Sequence, residues 1–411
     1  MSDNQPKLVP SSHIQFFKAL LEQIFVGSRV YGIWMVVLLL TILQGGMAYR
    51  QQAIHGLAVT GLSDQITWGL YIGNFTFFVG VAAAAVILII PAYLFHRREM
   101  RRVTLLGECL AVAAVVVALL FVTVDLGQPL RIWHALPFLG KLNFPTSILA
   151  WDMVVLTFYL LINILLLWYL LYKKFCHHTL QVKHYFPLII VAIILGLSIH
   201  TVTAFMLSGN PSRPFWHTAI LAPRFIASAF AAGAALMIIT FQILHRFSRF
   251  RLSKGLIREV ALIMAFSQFI SLFLLGSEFY TALYRHTAQH SSAVLLYWGT
   301  TGSEGLTTAI YLALSASLIG VVILMVRSWR EHVPLLNLAS VLIFFAIWME
   351  KGIGLVVPGF TPTPLGEIAH YSPTTIEIQV TVGIWAVGAM IFTILARITI
   401  AIEYGHLKAI K

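Results

Sequence analysis

The sequence DLGQPLRIWH at residues 125–134 decides the fold, because it separates two long apolar runs and places charges at their ends. Asp125 ends the first run and Asp152 stands near the start of the second, with Gln128 and Arg131 between them. An ionisable side chain that faces lipid costs a few kcal/mol, so such groups turn inward toward partners or water. We therefore predict two membrane helices whose adjoining ends form one wall of a polar pocket.

The composition is that of a membrane protein. Of the 411 residues, 59% are hydrophobic and only 10% are charged, whereas a soluble domain carries about 25% charged residues. A helix needs about 20 apolar residues to cross a bilayer. The predicted spans are residues 30–50, 67–95, 103–125, 147–172, 184–206, 224–245, 258–283, 306–326, 335–355 and 377–402. The predicted fold class is an all-α integral membrane protein with about ten transmembrane helices.

The chain ends and the basic residues indicate its orientation. Within residues 1–29, apolar side chains recur at the spacing of one helix face, which predicts an interfacial amphipathic helix. The net charge is +12, and 20 of the 27 Lys and Arg fall on the side of the N-terminus, the even-numbered loops and the C-terminus. Cytoplasmic loops collect such residues. Both termini are therefore predicted to be cytoplasmic, with residues 403–411 as a tail, and no nucleic-acid surface is predicted.

The intramembrane polar residues concentrate at one depth. Seven of them lie in the predicted periplasmic half: Asp125, Asp152, His200, Arg224, Glu278, Glu350 and Lys351. Glu108 lies at comparable depth on the opposite side. Structural alternatives exist, because Glu350 and Lys351 can snorkel to water, Arg224 and Asp152 stand at helix starts, and a single His200 can be a packing residue. Their shared depth favours a functional site.

The cofactors that the chain can hold are limited. An iron-sulfur cluster takes about four thiolates, and the chain has only Cys109 and Cys176. Of the 15 histidines, only His200 lies well inside a span, whereas a membrane b-type haem usually needs a buried pair. We predict no haem, no iron-sulfur cluster and no metal in this chain.

A pocket for an amphipathic ligand remains. Trp68, Tyr71 and Asn74 recur at i, i+3 and i+6 along the outer start of the second span, and offer a ring, a hydroxyl and an amide. A quinone fits these groups, since it has two carbonyl oxygens, an apolar tail, and a two-electron reaction that takes up two protons. The groups predicted to exchange those protons are Asp125, Asp152 and His200.

Three motifs occur in order: residues 68–72 (WGLYI) running on to Gly80, residues 125–131 (DLGQPLR), and residues 214–216 (PFW) leading to Gly233. Together they resemble the NrfD/PsrC family, the membrane anchors of polysulfide-reductase-type complexes. Ten spans rather than eight are typical of the longer branch of that family, which includes DsrP, HmcC and QrcD. Within that branch the chain resembles DsrP, which belongs to the DsrMKJOP complex of sulfur metabolism.

The resemblance implies two four-helix bundles, spans 2–5 (about residues 67–206) and spans 6–9 (about 224–355), flanked by spans 1 and 10. It also implies a cofactor-free subunit of the cytoplasmic membrane that exchanges electrons between menaquinone or ubiquinone and a periplasmic, ferredoxin-like iron-sulfur subunit. A multihaem cytochrome c and further membrane or cytoplasmic subunits are expected as partners. The quinone-site residues carried over are Trp68, Tyr71, Asn74, Asp125, Arg131, Asp152 and His200. Gln128, which stands between the two acids, is predicted to bind the quinone as well, and a proton path is expected at Glu108 and Glu278.

Two other functions stay open. A secondary transporter fits tandem helical units, and the loops at residues 127–134 and 209–217 share a Gly-amide-Pro-x-Arg pattern that ends in Trp-His. Against it, the polar groups are peripheral and no span has a glycine break at its middle. A purely structural anchor without a quinone site is the second alternative. The direction of electron flow, the quinone type and the terminal substrate are not indicated.

Overall fold

The computed structural model describes residues 13–135, 139–141, 143–178, 181–248, 250–284, 288–299 and 304–404. Within them all regular elements are helices, and ten are long and apolar enough to cross a membrane. Span 1 is Arg29–His55, span 2 Leu70–Val81 with Ala84–Ile89 and a π-helical turn at Ile90–Leu94, span 3 Thr104–Asp125, span 4 Ile148–Phe175, span 5 Val182–Ser208, span 6 Leu221–Phe247, span 7 Lys254–Tyr284, span 8 Glu304–Met325, span 9 Val333–Lys351 with Ile353–Val356 and a 3-10 turn at Val357–Phe360, and span 10 Thr375–Glu403. The predicted all-α, ten-span fold is confirmed.

Shorter helices connect the spans. The amphipathic segment forms a helix at His13–Phe25, and Arg98–Arg101, His290–Trp298 and Arg327–Glu331 are further short helices. The apolar run before span 8 is thus a separate helix, which ends at Gly299 with φ +74°. That left-handed conformation suits glycine, which has no Cβ. Three 3-10 turns complete the connections: Gly56–Val59, Pro129–Ala135 and Pro214–Trp216.

Spans 2–5 pack around one another as one bundle, and spans 6–9 as a second. The small residues of spans 2 and 6 form the seam between the bundles: a Cβ added at Gly233 would lie 3.3 Å from the Ala84 backbone. Spans 1 and 10 pair beside the first bundle and approach so closely that a Cβ on Gly45 would lie 2.7 Å from the Gly383 Cα. Small residues permit such close helix contacts in lipid.

The basic loops meet at one end of the bundles, called here the inner end. Arg101 donates to the Tyr185 hydroxyl at 3.2 Å, Lys174 pairs with Glu403, and the Arg397 Nε donates to the Gln23 carbonyl at 3.0 Å. These contacts join the N-terminal helix, two even-numbered loops and the end of span 10, as the predicted topology requires. That the inner end faces the cytoplasm stays a prediction from the distribution of charge.

Span 2 is interrupted near its middle. Ala83 N–H donates to the Gly80 carbonyl, a 3-10 bond, and the regular helix resumes at Ala84. The Tyr159 hydroxyl of span 4 donates to the Ala82 carbonyl at 2.9 Å, so a neighbouring side chain bonds the irregular backbone. No glycine marks the break itself, and alanine is the strongest helix former. The predicted span at residues 67–95 is confirmed as one membrane crossing, Leu70–Leu94, and the 3-10 turn at Ala82–Ala83 is a feature that the sequence did not indicate.

Candidate functional site

Asp152 and Thr203 form the centre of a buried polar group in the outer half of the first bundle. Asp152, in the second turn of span 4, is 1% exposed, and its Oδ1 lies 2.6 Å from the Thr203 hydroxyl of span 5. That hydroxyl also lies 2.7 Å from the Ile199 carbonyl, although it has only one hydrogen to donate. It can donate to an ionised Asp152, or accept from a protonated Asp152 while donating to Ile199. The pair is therefore hydrogen bonded in either protonation state.

His200 lies one helical turn before Thr203 on span 5. It is fully buried, and neither ring nitrogen has a hydrogen-bond partner among the described residues. The Oδ2 of Asp152 is also buried without a partner. Buried polar atoms are nearly always bonded, so unpartnered ones require an explanation. These atoms offer a donor and acceptors to a ligand inside the bundle.

Tyr71 and Asp125 form a different group, at the seam between span 1 and the first bundle. The Tyr71 hydroxyl donates to the Gln52 Oε1 at 2.7 Å, and the Gln52 Nε2 donates to the Val124 carbonyl at 2.6 Å. The adjacent Asp125 has a buried, unpartnered Oδ1. Gln52 was missed because it follows Arg50 and Gln51 at the end of an apolar run, where polar residues normally meet water.

Asn74 and Trp68 contact residues of other parts of the chain through hydrogen bonds and ring stacking, respectively. The Asn74 Oδ1 accepts from the indole nitrogens of Trp348 at 3.0 Å and Trp385 at 2.9 Å, which ties span 2 to spans 9 and 10. Trp68 precedes the helix, which begins only at Leu70, and its ring stacks on Trp216 with centroids 5.7 Å apart. The i, i+3, i+6 spacing therefore does not place Trp68 on the helix face of the other two predicted residues.

Gln128 and Arg131 lie outside the bundle. Both side chains are exposed, beside the 3-10 turn at Pro129–Ala135, and Arg131 N–H donates to the Gln128 carbonyl at 2.9 Å. The structure thus brings Asp152 and His200 to one level of the first bundle, and Tyr71 and Asp125 to a second place. The remaining predicted quinone residues are not gathered into either group.

A further polar group, around Glu108 and Asn163, lies deeper in the first bundle. Glu108 on span 3 is 1% exposed, and both its carboxylate oxygens lack partners, as does the Oδ1 of the buried Asn163 on span 4. Asp152, Tyr159 and Asn163 stand at i, i+7 and i+11, so they share one helix face. That face runs from the outer half of span 4 toward its inner half. Tyr159 and Asn163 were missed, although this spacing was visible in the sequence.

The second bundle holds an ion cluster. Arg224 of span 6 pairs with Glu278 of span 7 and Glu350 of span 9, and the three side chains are only 8–13% exposed. A cavity of about 20 Å³ adjoins the cluster and also touches Tyr297; a buried water needs at least about 10–15 Å³. Arg224 thus bridges three spans and does more than cap its own helix.

Lys351 is buried at the seam between the bundles, with 2% exposure. Its Nζ donates to the Phe225 carbonyl at 3.2 Å and lies 4.0 Å from the centroid of that ring. Its own carbonyl accepts from the Thr76 hydroxyl of span 2 at 3.1 Å. The alternative reading of Lys351 and Glu350 as snorkelling anchors is wrong, because the side chains turn inward to partners rather than outward to water.

The fold and these buried groups define a class: a multi-pass integral membrane protein with acid and imidazole groups inside its first helix bundle. Among the described residues, no group of three or more His, Cys, Asp or Glu is arranged to hold a metal ion. The sequence profile of the NrfD family, described as polysulphide reductase, NrfD, matches residues 58–360. The chain therefore belongs to the NrfD family.

Three relatives align along most of their length. A Halobacterium salinarum protein assigned as a membrane subunit of dimethyl sulfoxide reductase is 28% identical and covers 87% of this chain and 88% of its own. A selenate reductase subunit of Mesobacillus selenatarsenatis is 22% identical over 84% and 88%. The Hdr-like menaquinol oxidoreductase integral membrane subunit of Archaeoglobus fulgidus is 23% identical over 83% and 86%.

Proposed function

We propose that this chain is the quinone-interacting membrane subunit of a multisubunit oxidoreductase, with its quinone site at His200 and Asp152. The single observation that carries the proposal is the pair of unpartnered ring nitrogens on His200, buried one helical turn from the Asp152–Thr203 hydrogen bond. Membership of the NrfD family and the menaquinol oxidoreductase name of one relative support it.

The donors and acceptors of this site fit a quinone. A neutral imidazole has one N–H, which would donate to a quinone carbonyl, and one bare nitrogen that accepts from a quinol hydroxyl. Asp152 would exchange the accompanying proton, since its bond to Thr203 persists in either protonation state. The apolar residues of spans 4 and 5 supply the surroundings for a ring and tail. A bound quinone would supply the two-electron chemistry that these side chains lack.

Electrons would leave through a partner at the outer face. Gln128 and Arg131 are exposed there, at the end of span 3, and we propose that they contact a periplasmic iron-sulfur subunit. Two relatives are named as subunits of reductases, which implies further subunits in their complexes. A ferredoxin-like partner, a multihaem cytochrome c and a role in sulfur metabolism remain proposals that rest on the resemblance to DsrP.

The remaining ionisable groups are candidates for a proton path. Asp152, Tyr159 and Asn163 share a face of span 4, and Glu108 lies on the adjoining span 3 in the inner half. We propose that a proton released at Asp152 reaches Glu108 along this face. Asp125 and Tyr71 would serve as an exit to the outer surface, and Glu278 belongs to a separate path in the second bundle beside Arg224.

A secondary transporter is the second candidate function. One observation favours it: span 2 is interrupted at Ala82–Ala83, close to the polar residues of span 4, and interrupted spans line substrate sites in transporters. Uptake of a solute by the protein in vesicles, without its partners, would support this function. A purely structural anchor is disfavoured by the buried, unpartnered atoms of His200 and Asp152.

The test is electron transfer in the intact complex. We expect Asp152→Asn and His200→Phe to lower quinol-linked turnover about 10²–10⁴-fold, the range typical of a lost acid-base group. Reduction of the partner subunits by a soluble donor should stay unchanged, which separates a site defect from failed assembly. Ser198→Ala is the matched control, since that hydroxyl on span 5 bonds only the Ile194 carbonyl of its own helix. Full turnover in both site variants would refute the proposal.

A further inference from the structure

A large cavity opens at the inner end, far from the quinone site. It has a volume of about 560 Å³ and lies between the end of span 2 and the start of span 7. Span 2 belongs to the first bundle and span 7 to the second, so the cavity sits across the seam between them. Its size falls within the roughly 300–1,000 Å³ typical of small-molecule sites. Its lining residues are Pro91, Phe95, His96, Arg97, Met100 and, on span 7, Glu259, Leu262 and Ile263.

One wall of the cavity is apolar and continues into the lipid-facing surface. Leu262 and Ile263 form this wall on span 7, and Phe266, one turn further along, is 67% exposed. On the opposite side Phe95 is 69% exposed, while Met100 is fully buried at the base. A soluble ligand gains little from such a wall. An acyl chain can pass along it directly from the bilayer.

The other wall carries an arginine that is available to an anion. The Arg97 side chain is 64% exposed, and its nearest carboxylate, Glu259, lies at 3.9 Å, the limit of an ion pair. Arg97 is the arginine that lines the cavity, whereas Arg101 donates to Tyr185 and Arg102, with a similarly long 3.8 Å pair to Glu99, lies outside the lining. Residues 96–102 and 254–259 together contain six Lys or Arg against two acids. The local field therefore favours a negatively charged ligand.

The backbone shapes this site. Span 2 ends in a π-helical turn at Ile90–Leu94, and such turns are rare and frequently occur at functional sites. His96 follows with φ +56°, a left-handed conformation that is uncommon for a residue with a Cβ. The Arg97 N–H then donates to the Pro91 carbonyl at 2.9 Å. This turn brings His96 and Arg97 to the rim of the cavity.

We propose that this cavity binds an anionic phospholipid of the surrounding membrane. Arg97 binds the phosphate, displacing its weak contact with Glu259, and one acyl chain lies along Phe95, Leu262 and Ile263. The basic end of a membrane protein meets the leaflet in which anionic lipids attract Lys and Arg. The lipid bridges two spans of different bundles, so it stabilises their association. This inference is independent of the quinone proposal.

The test is lipid retention by the purified full-length protein. Native mass spectrometry would count phosphatidylglycerol and phosphatidylcholine molecules kept after both are supplied in equal amounts, and thermal unfolding would be followed with each lipid. We expect wild type to retain phosphatidylglycerol, and Arg97→Gln to bind it about fivefold more weakly, as for the loss of one cation at a membrane surface. Arg327→Gln is the control, because it removes another exposed arginine, 76% against 64% for Arg97, that does not line the cavity.

A variant that blocks the apolar wall tests the binding of the acyl chain separately from the binding of the phosphate. Leu262→Trp fills the apolar wall and leaves Arg97 intact, so it should also lower phosphatidylglycerol retention; Leu338→Trp, on the exposed face of span 9, should not. Equal retention of both lipids, or unchanged retention in Arg97→Gln, would overturn the proposal. Stabilisation by inorganic phosphate alone, equal to that by phosphatidylglycerol, would identify a free-anion site and overturn it as well.

Discussion

Replacement of Arg224 by methionine tests the ion cluster of the second bundle. The guanidinium contacts both Glu278 and Glu350, and the three side chains are 8%, 12% and 13% exposed. Removing one partner of a buried ion pair costs about 3–5 kcal/mol, because it leaves an uncompensated charge out of water. Two carboxylates lose their partner here, but they share one arginine. We therefore expect a loss of about 3–5 kcal/mol near neutral pH, and not twice that value.

The assay is unfolding of the purified protein in mixed micelles, followed by circular dichroism as denaturing detergent is added. Arg327→Gln is the comparison, since it breaks a pair whose side chains are 76% and 46% exposed. Pairs of that kind rarely contribute measurably.

A second variant distinguishes lost packing from lost charge. Arg224→Met combined with Glu278→Gln and Glu350→Gln removes the whole cluster, and replacing a buried ion network by neutral groups of similar size is often tolerated. Most of the lost stability should then return. A loss below about 1 kcal/mol in Arg224→Met, or no recovery in the triple variant, would refute the view that a desolvated ion cluster joins spans 6, 7 and 9.

Three further predictions concern stability. Asn74→Ala should cost about 2 kcal/mol or more in the same unfolding assay, because two indole N–H groups lose their acceptor; an unchanged midpoint would contradict this. Gly383→Val should destabilise by about 1–3 kcal/mol through overlap with Gly45, whereas Gly46→Val, with open space around its Cα, should be neutral. Tyr371, in the loop before span 10, is half-buried and donates a hydrogen bond to Glu377, and the partial burial and the neighbouring carboxylate both raise its pKa above its usual range. In the unfolded chain this hydroxyl has its ordinary pKa of about 10 and loses its proton at a lower pH than in the folded protein. The free energy of unfolding should therefore fall as pH rises above about 10, and it should fall less in Tyr371→Phe. Equal dependence on pH in the two proteins would contradict this prediction.

The membrane spans were predictable because their signal is local. Each span must present about 20 apolar residues to lipid, and the observed helices agree with the predicted spans to within about five residues, the largest difference being span 1, whose helix continues to His55 rather than ending at residue 50. Spans 2 and 6 are rich in glycine and alanine, which permit close helix packing, and the bundles meet there. Both features depend only on side-chain size and polarity along one segment, so no knowledge of distant contacts was needed.

Which polar residues lie together in the structure could not be predicted in this way. Hydropathy gives the depth of a residue but not the direction in which its side chain points. Tyr71 bonds Gln52 of span 1, and Asn74 bonds tryptophans more than 270 residues away. Both stand at the depth of Asp152, yet they face other helices. The break in span 2 was hidden because its alanines strongly favour a continuous helix.

The presence or absence of hydrogen-bond partners distinguishes structural residues from candidate site residues, whereas depth in the membrane does not. Asn74, Arg224 and Lys351 have partners that account for their burial, and each ties one span to another. By contrast, within the part of the chain that the structure describes, every carboxylate or imidazole with a buried unpartnered atom lies on spans 3 to 5: Glu108, Asp125, Asp152 and His200. An unpaired polar atom in a bilayer costs several kcal/mol. The second bundle thus pairs its buried charges, whereas the first contains buried carboxylate and imidazole atoms without partners, and this difference supports our proposal that the ligand binds in the first bundle.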